Sequence, residues 1–339
     1  MVKTIIAQAP GKVILSGEHA VVHGASAVAL AIDRYVKVEL TSESKGFFFE
    51  LPQEHSNFTT SLAELMILEQ ELNNRYLKFI KNELTIKEVI TSSVELVQYA
   101  FAVLLKRWSC LVEGGVRIKV WFGFPLGCGL GGSAAMIIAL MTAVTKFYKL
   151  KPLNMDEYLQ LAREIENLQH GNSSGLDLFL AYHGGHYFFS RTATIKRSLS
   201  KLEFSLINTG KPKCSTGECV SHTSRFFNRE PKLVTVFDQL TTMLDQAMVA
   251  GKPAIVSQCI RENHRLLVKL GVVPSQVVDF IGQVEREGGA AKITGGGAIV
   301  GEQGGIVLVV GIDQIEQLAG KFGYSVLKAQ KANLGGGIV

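Results

Sequence analysis

No metal-binding or disulfide framework is written into this chain. Its five cysteines (Cys110, Cys128, Cys214, Cys219 and Cys259) are odd in number and form no CxxC pair. That excludes a zinc ribbon or a stapled scaffold and fits a reducing compartment. No apolar stretch reaches the length of a membrane span without a polar interruption. The N-terminus, MVKTIIAQAPGKVIL, has no long apolar run ahead of a small-residue cleavage site. The expectation is a cytoplasmic chain with no membrane partner. Basic residues exceed acidic ones by 35 − 30 = 5, but they are scattered rather than gathered into a stripe, so no nucleic-acid partner is expected. A weak positive field instead suits small anions. Neither a GxxxxGK[ST] loop nor an HExxH helix occurs, and there is no repeat of fixed period.

What is present is a core-building composition, 47 % apolar over 339 residues. That length exceeds the usual reach of one hydrophobic core, so two domains are expected. A polar, basic stretch near 190–202 suggests the division, giving domains 1–190 and 191–339. Strand patterns occupy TIIAQAP, AVALAIDRYVKVEL, VRIKVWFGF and HYFFS in the first half, and LEFSLINTG, AAKIT, GIVLVVG and YSVLKAQ in the second. Helical spacing runs from Ser61 to Ile80, from Thr91 to Trp108, through the apolar segment after Ser133, and from Asp156 to His170. Several more helices are expected between Ser221 and Glu287. Helices mixed with antiparallel strands imply an α+β fold.

Four constellations carry chemistry. In PLGCGLGGSAA (Pro125–Ala135), clustered glycines let backbone N–H groups turn inward, and a helix opens near Ser133. This is a phosphate cradle, or more plainly a glycine turn before a buried helix. In ENLQHGNSSGLD, Glu166 and His170 share a helix face and Asp177 follows in a Gly/Ser loop. Two carboxylates a loop apart can divide metal binding and hydroxyl orientation in phosphoryl transfer; singly they read as a solvated helix residue and a turn former. In APGKVILSGEHAVVHG, Lys12 can serve as a fixed point charge, whereas His19 and His23 lack a third ligand for zinc. In KITGGG, three glycines follow a short strand, which suggests a close backbone approach. Cys128, near a helix N-terminus, sits where a thiolate is favoured, but the plainer reading is an inert small residue.

Together these segments resemble the GHMP kinase family, and within it the branch that phosphorylates mevalonate. APGKVILSGEHAVVHG matches that branch's N-terminal motif. PLGCGLGGSAA resembles the family's PxGxGLGSSAA, HGNSSGLD its HGxPSGxD, KITGGG its C-terminal glycine motif, and NHRLLVKLGVVPSQVVDF its NxxLLxxLGV helix and turn. The resemblance implies a two-domain fold, with an N-terminal ribosomal-protein-S5-like α/β domain and a C-terminal ferredoxin-like α+β domain. It implies ATP and Mg²⁺ as cofactors, mevalonate as the second substrate, and admits a homodimer. Position by position, Asp177 and Lys12 match the catalytic residues. Pro125, Gly127, Gly129, Leu130, Gly131, Gly132, Ser133 and Ala134 match the ATP loop. Ser133 and Glu166 match the metal ligands, and Glu18, His19 and Thr216 match positions beside the substrate. The chain departs from the pattern at Gly132, where the family has serine, at Ser173, where it has proline, and in KITGGGAIVGEQGG against KxTGAGxGGC. A less rigid loop at Ser173 and altered contacts at the third motif are the expected effects. Another alcohol substrate (phosphomevalonate, homoserine or a sugar), or an inactive ligand-binding regulator of the same fold, stays open.

Overall fold

The computed structural model describes residues 2–108, 114–198 and 202–339; Cys110 and residues 199–201 of the expected boundary stretch lie outside them. The chain opens with two long antiparallel strands, β1 (Thr4–Ser16) and β2 (Ala27–Glu43). The first runs six residues further than the strand pattern suggested. Its register slips between Pro10 and Gly11, since proline has no N–H for the ladder and is accommodated at a bulge. The bulge re-aims the chain just before Lys12. A hairpin of β3 (Phe47–Leu51) and β4 (Ser56–Thr60) follows. It leads into α1 (Leu62–Ile80), opened by a Ser61/Glu64 capping box, and α2 (Ser93–Arg107), capped by Ser92. The crossover returns as β5 (Gly115–Phe122), parallel to β3 and antiparallel to β2.

From β5 the glycine-rich segment enters α3 (Gly132–Phe147), which is buried along nearly its whole length beneath β1 and β2, as its all-round apolar composition demands. Around it pack α2, α4 (Met155–His170) and α5 (Leu176–His183). The hairpin of β6 (His186–Phe189) and β7 (Thr194–Arg197) extends the sheet from β2.

The second half begins with β8 (Ser205–Asn208) and four helices: α6 (Thr216–Arg229), α7 (Lys232–Val249), α8 (Pro253–Lys269) and α9 (Ser275–Arg286). Then come β9 (Ala290–Thr294), β10 (Ile306–Val310), α10 (Ile315–Lys321) and β11 (Ser325–Leu327). These four strands form an antiparallel sheet ordered β11-β8-β10-β9. In chain order that is 4-1-3-2, the ferredoxin-like arrangement. The last strand, β12 (Gly337–Ile338), returns to pair with Ala7 and Gln8 of β1.

A division at 190/191 would cut at the tip of the β6–β7 hairpin, because β7 still belongs to the first sheet. We propose that it falls between β7 and β8. The halves are nonetheless one packed body: Leu240 and Leu244 of α7 and Ile260 of α8 share a buried cluster with Val13, Leu30 and Ile137. Among the described residues, no helix is long and apolar enough to cross a membrane.

Ile137, fully buried in α3, tests this core. Ile137→Ala removes packed methylenes and should cost about 2–5 kcal/mol in urea unfolding; a loss below about 1 kcal/mol would mean α3 is not the centre of the fold.

Candidate active site

The glycine-rich loop lies where the two sheets meet. Gly127, Gly129 and Gly131 all have positive φ, at 70°, 92° and 73°. Two of these glycines are also fixed by space. A Cβ on Gly129 would lie 2.5 Å from the Thr294 carbonyl oxygen, and one on Gly131 would lie 2.9 Å from Cγ of Lys12. Gly131 is the N-cap of α3 and provides no side-chain cap. The first N–H groups of α3, through Gly132, Ser133 and Ala134, therefore keep their donor capacity for an anion. Leu130 and Ala134 are buried beneath the loop, while Pro125 at its start is partly exposed.

Lys12, only 4 % exposed, leaves the bulged strand beneath this loop. Its Nζ lies 3.3 Å from Oδ2 of Asp177 and donates to the Gly129 carbonyl at 3.1 Å. Asp177 stands in the first turn of α5, a helix that the Gly/Ser-rich pattern concealed; Gly175, at φ 79°, opens it. Glu166 is buried on α4, where the Ser173 hydroxyl donates to its Oε2. Burial, reinforced by the charge on Asp177, pushes the Glu166 carboxyl up to about 8 against the pull of Ser173, Lys12 and Arg163. One turn on, His170 Nε2 lies 3.0 Å from the Ser133 hydroxyl.

Serine at 173 does not loosen the loop. Its N–H donates to Asn167 Oδ1 at 2.8 Å, its hydroxyl accepts from the Gly175 N–H at 3.0 Å, and its carbonyl accepts from Arg163 Nε at 2.8 Å. A proline could supply neither the N–H nor the hydroxyl. Cys128 takes the plainer of its two readings: it is buried, and burial raises its thiol to about 11 despite nearby Lys211. It is an inert thiol.

The remaining residues gather where the turn after β1 meets the glycine turn after β9. Gly295 meets Gly129 backbone to backbone, since a Cβ there would lie 2.7 Å from the Gly129 Cα. Thr216, the first residue of α6, packs on Gly296. His19 donates from Nε2 to the Gly296 carbonyl at 3.1 Å, with Nδ1 3.1 Å from the Thr223 hydroxyl. Glu18 points inward, and its carboxylate is ion-paired with fully buried Lys292, which also donates to the Ile14 carbonyl at 3.1 Å. Thus Lys12, Asp177, Glu166, Ser133 and the loop converge. His19 and Thr216 back the third glycine turn, and Glu18 is held in the interior. Lys292 was missed by sequence reasoning; the one signal was a charge within the otherwise apolar start of a short strand, AAKIT.

Mg²⁺ fits this donor set. It takes oxygen ligands and retains waters and phosphate oxygens, so one or two protein oxygens suffice. Ser133 and Glu166 offer a hydroxyl and a carboxyl, and Asp177 lies close enough to Glu166 to act on its charge. Among the described residues, no cluster of three or more His, Cys, Asp or Glu could hold a metal alone.

Comparison with known proteins agrees with this geometry. Residues 95–185 match the GHMP kinases N terminal domain family. The chain has a GHMP kinase N-terminal domain. Beyond it, the chain is 28% identical to the mevalonate kinase of Archaeoglobus fulgidus over 295 residues, which are 86% of this chain and 89% of that protein. The crystal structure of Methanococcus jannaschii mevalonate kinase superposes with a TM-score of 0.78 at 23% identity, covering 98% of this chain and 99% of that one. Lactococcus lactis galactokinase complexed with galactose superposes with 0.74 at 17% identity, covering 99% and 95%. The fold is therefore shared by solved structures named for different alcohols.

Two histidines behind the site link stability to pH. Burial lowers His19 and His264 of α8 to about 4, below the ordinary value near 6.5. As pH falls from 6.5 towards 4, the unfolded chain takes up protons that the folded chain refuses, so the stability these groups confer at neutral pH is lost in that window. His264→Gln should flatten the fall in melting midpoint between pH 7 and pH 5; an unchanged slope would assign that fall to other groups.

Proposed function

We propose that this chain is an ATP-dependent kinase that transfers the γ-phosphoryl group to the 5-hydroxyl of mevalonate, with Mg²⁺ as cofactor. The observation that carries it is the Lys12–Asp177 pair, 3.3 Å apart, set directly against a glycine loop built for phosphates. Phosphoryl transfer has a loose transition state, so the protein mainly positions the groups and stabilises charge. Asp177 Oδ2 accepts the hydrogen bond of the attacking hydroxyl and receives its proton as the new O–P bond forms and the bond from the γ-phosphorus to the β,γ-bridging oxygen breaks, releasing ADP. Lys12 stabilises the negative charge gathering between nucleophile and phosphoryl group. The N–H groups of Gly127–Ala134 hold the nucleotide phosphates. Ser133 and Glu166 would hold the cation, which supplies neutralisation of phosphate charge.

A cavity of about 500 Å³ lies beside the start of α5, lined by Val21, Leu176, Phe179, Ser174, Arg163 and Arg191, and none of Lys12, Ser133, Glu166 or Asp177 lines it. Arg191 on its rim donates to the His23 carbonyl at 2.7 Å.

ADP release measured with mevalonate, phosphomevalonate, homoserine and galactose tests the reading. Turnover with mevalonate is expected, and turnover only with another alcohol would redirect the assignment. Nucleotide binding without transfer to any of them would favour the inactive regulator. Asp177→Asn and Lys12→Met should each lower kcat on the order of 100-fold or more while the protein stays folded.

A further inference from the structure

His170 has no part in the chemistry above, yet it lies at the centre of the site. It is the last residue of α4, one helical turn beyond Glu166, so the same helix face delivers both side chains. Tyr76 donates its hydroxyl proton to the carbonyl of the next residue, Gly171, at 3.0 Å, which fixes the end of α4. The His170 ring then reaches across to α3, where Nε2 lies 3.0 Å from the Ser133 hydroxyl oxygen. Its other nitrogen, Nδ1, is shielded from solvent and has no hydrogen-bond partner.

That asymmetry selects the tautomer. With its proton on Nδ1, the ring would bury a donor that has nothing to donate to. With its proton on Nε2, the ring donates to Ser133 and leaves only a bare lone pair unpaired, the milder of the two defects. The Ser133 hydroxyl then accepts from His170 through one lone pair. Its second lone pair stays free for a cation and its own proton free for a phosphate oxygen. A serine hydroxyl otherwise turns among three rotamers, and the Gly131 N-cap has no side chain to restrain it.

We propose that His170 is a positioning residue for the divalent-cation site, holding the Ser133 hydroxyl in the one orientation that presents an oxygen lone pair to the metal. The proposal rests on Ser133 being a metal ligand in the kinase reading. A hydrogen-bonding partner of a metal ligand is typically worth 10- to 100-fold in metal affinity, and that is the effect expected here.

The test is Mn²⁺ binding to the protein–ADP complex, followed by electron paramagnetic resonance, beside metal-free ADP binding by calorimetry. His170→Leu removes the donor and should weaken Mn²⁺ binding 10- to 100-fold while metal-free ADP affinity stays within about twofold of wild type. His170→Gln, whose amide N–H can reach the Nε2 position, should recover most of the lost affinity. A purely structural role would weaken both ligands together and would not be rescued by glutamine. Wild-type Mn²⁺ affinity in His170→Leu, with loss in Ser133→Ala, overturns the proposal and leaves the kinase reading intact. Wild-type affinity in Ser133→Ala shows that the metal assignment itself has failed. Should His170→Leu not fold, the glutamine variant decides alone: near wild-type Mn²⁺ affinity supports the role, and a loss of 10-fold or more overturns it.

Discussion

A lysine ammonium taken almost wholly out of water is the constraint around which this molecule is organised. An isolated buried charge is prohibitively unfavourable, so Lys12 requires an anion and further acceptors in fixed positions. Asp177 and the Gly129 carbonyl provide them. Meeting that need ties together three parts of the chain: the bulged first strand, the glycine loop and the short helix α5. Since Asp177 remains partly open to solvent, with its side chain 30% exposed, the pair is left facing the place where a substrate would enter.

A second buried pair performs the same service one layer deeper. Glu18 and Lys292 lie 274 residues apart in sequence, one after β1 and the other on β9. Around them, Ser16 bonds to the Thr241 hydroxyl and receives a hydrogen bond from Asn263 at 3.0 Å. Polar groups from both halves of the chain thus interlock behind the N-terminal motif. Such a network contributes little net stability, but losing one member leaves its partner charged and unpaired. Its effect is to fix how the two sheets meet.

Much of this was legible in the sequence, for identifiable reasons. Helices α1, α2 and α4 follow 3.6-residue periodicity and have clear caps, α3 stands out as an uncapped apolar run, and the glycine loop announces itself by composition. Strands β3 and β4 escaped because five residues with a turn between them carry too little pattern. Helix α5 escaped because its start reads as a Gly/Ser loop and only the positive φ of Gly175 turns it into a helix. The inward turn of Glu18 could not be anticipated, because its partner is set by tertiary packing alone. At Cys128 two local effects compete, and desolvation in the packed junction outweighs the helix terminus, so the plainer reading of an inert residue holds.

The glycine loop is not a flap. The Leu130 carbonyl accepts from the Lys12 N–H of the first sheet at 3.0 Å, and the Cys128 carbonyl accepts from the Ile306 N–H of the second at 3.1 Å. Adjacent stretches of one short loop are therefore stitched to different sheets. Its cradle is already shaped before any nucleotide arrives, so little ordering entropy remains to oppose binding. Any closure over a bound nucleotide must come from the outer walls, because the floor cannot shift without shearing the two sheets apart.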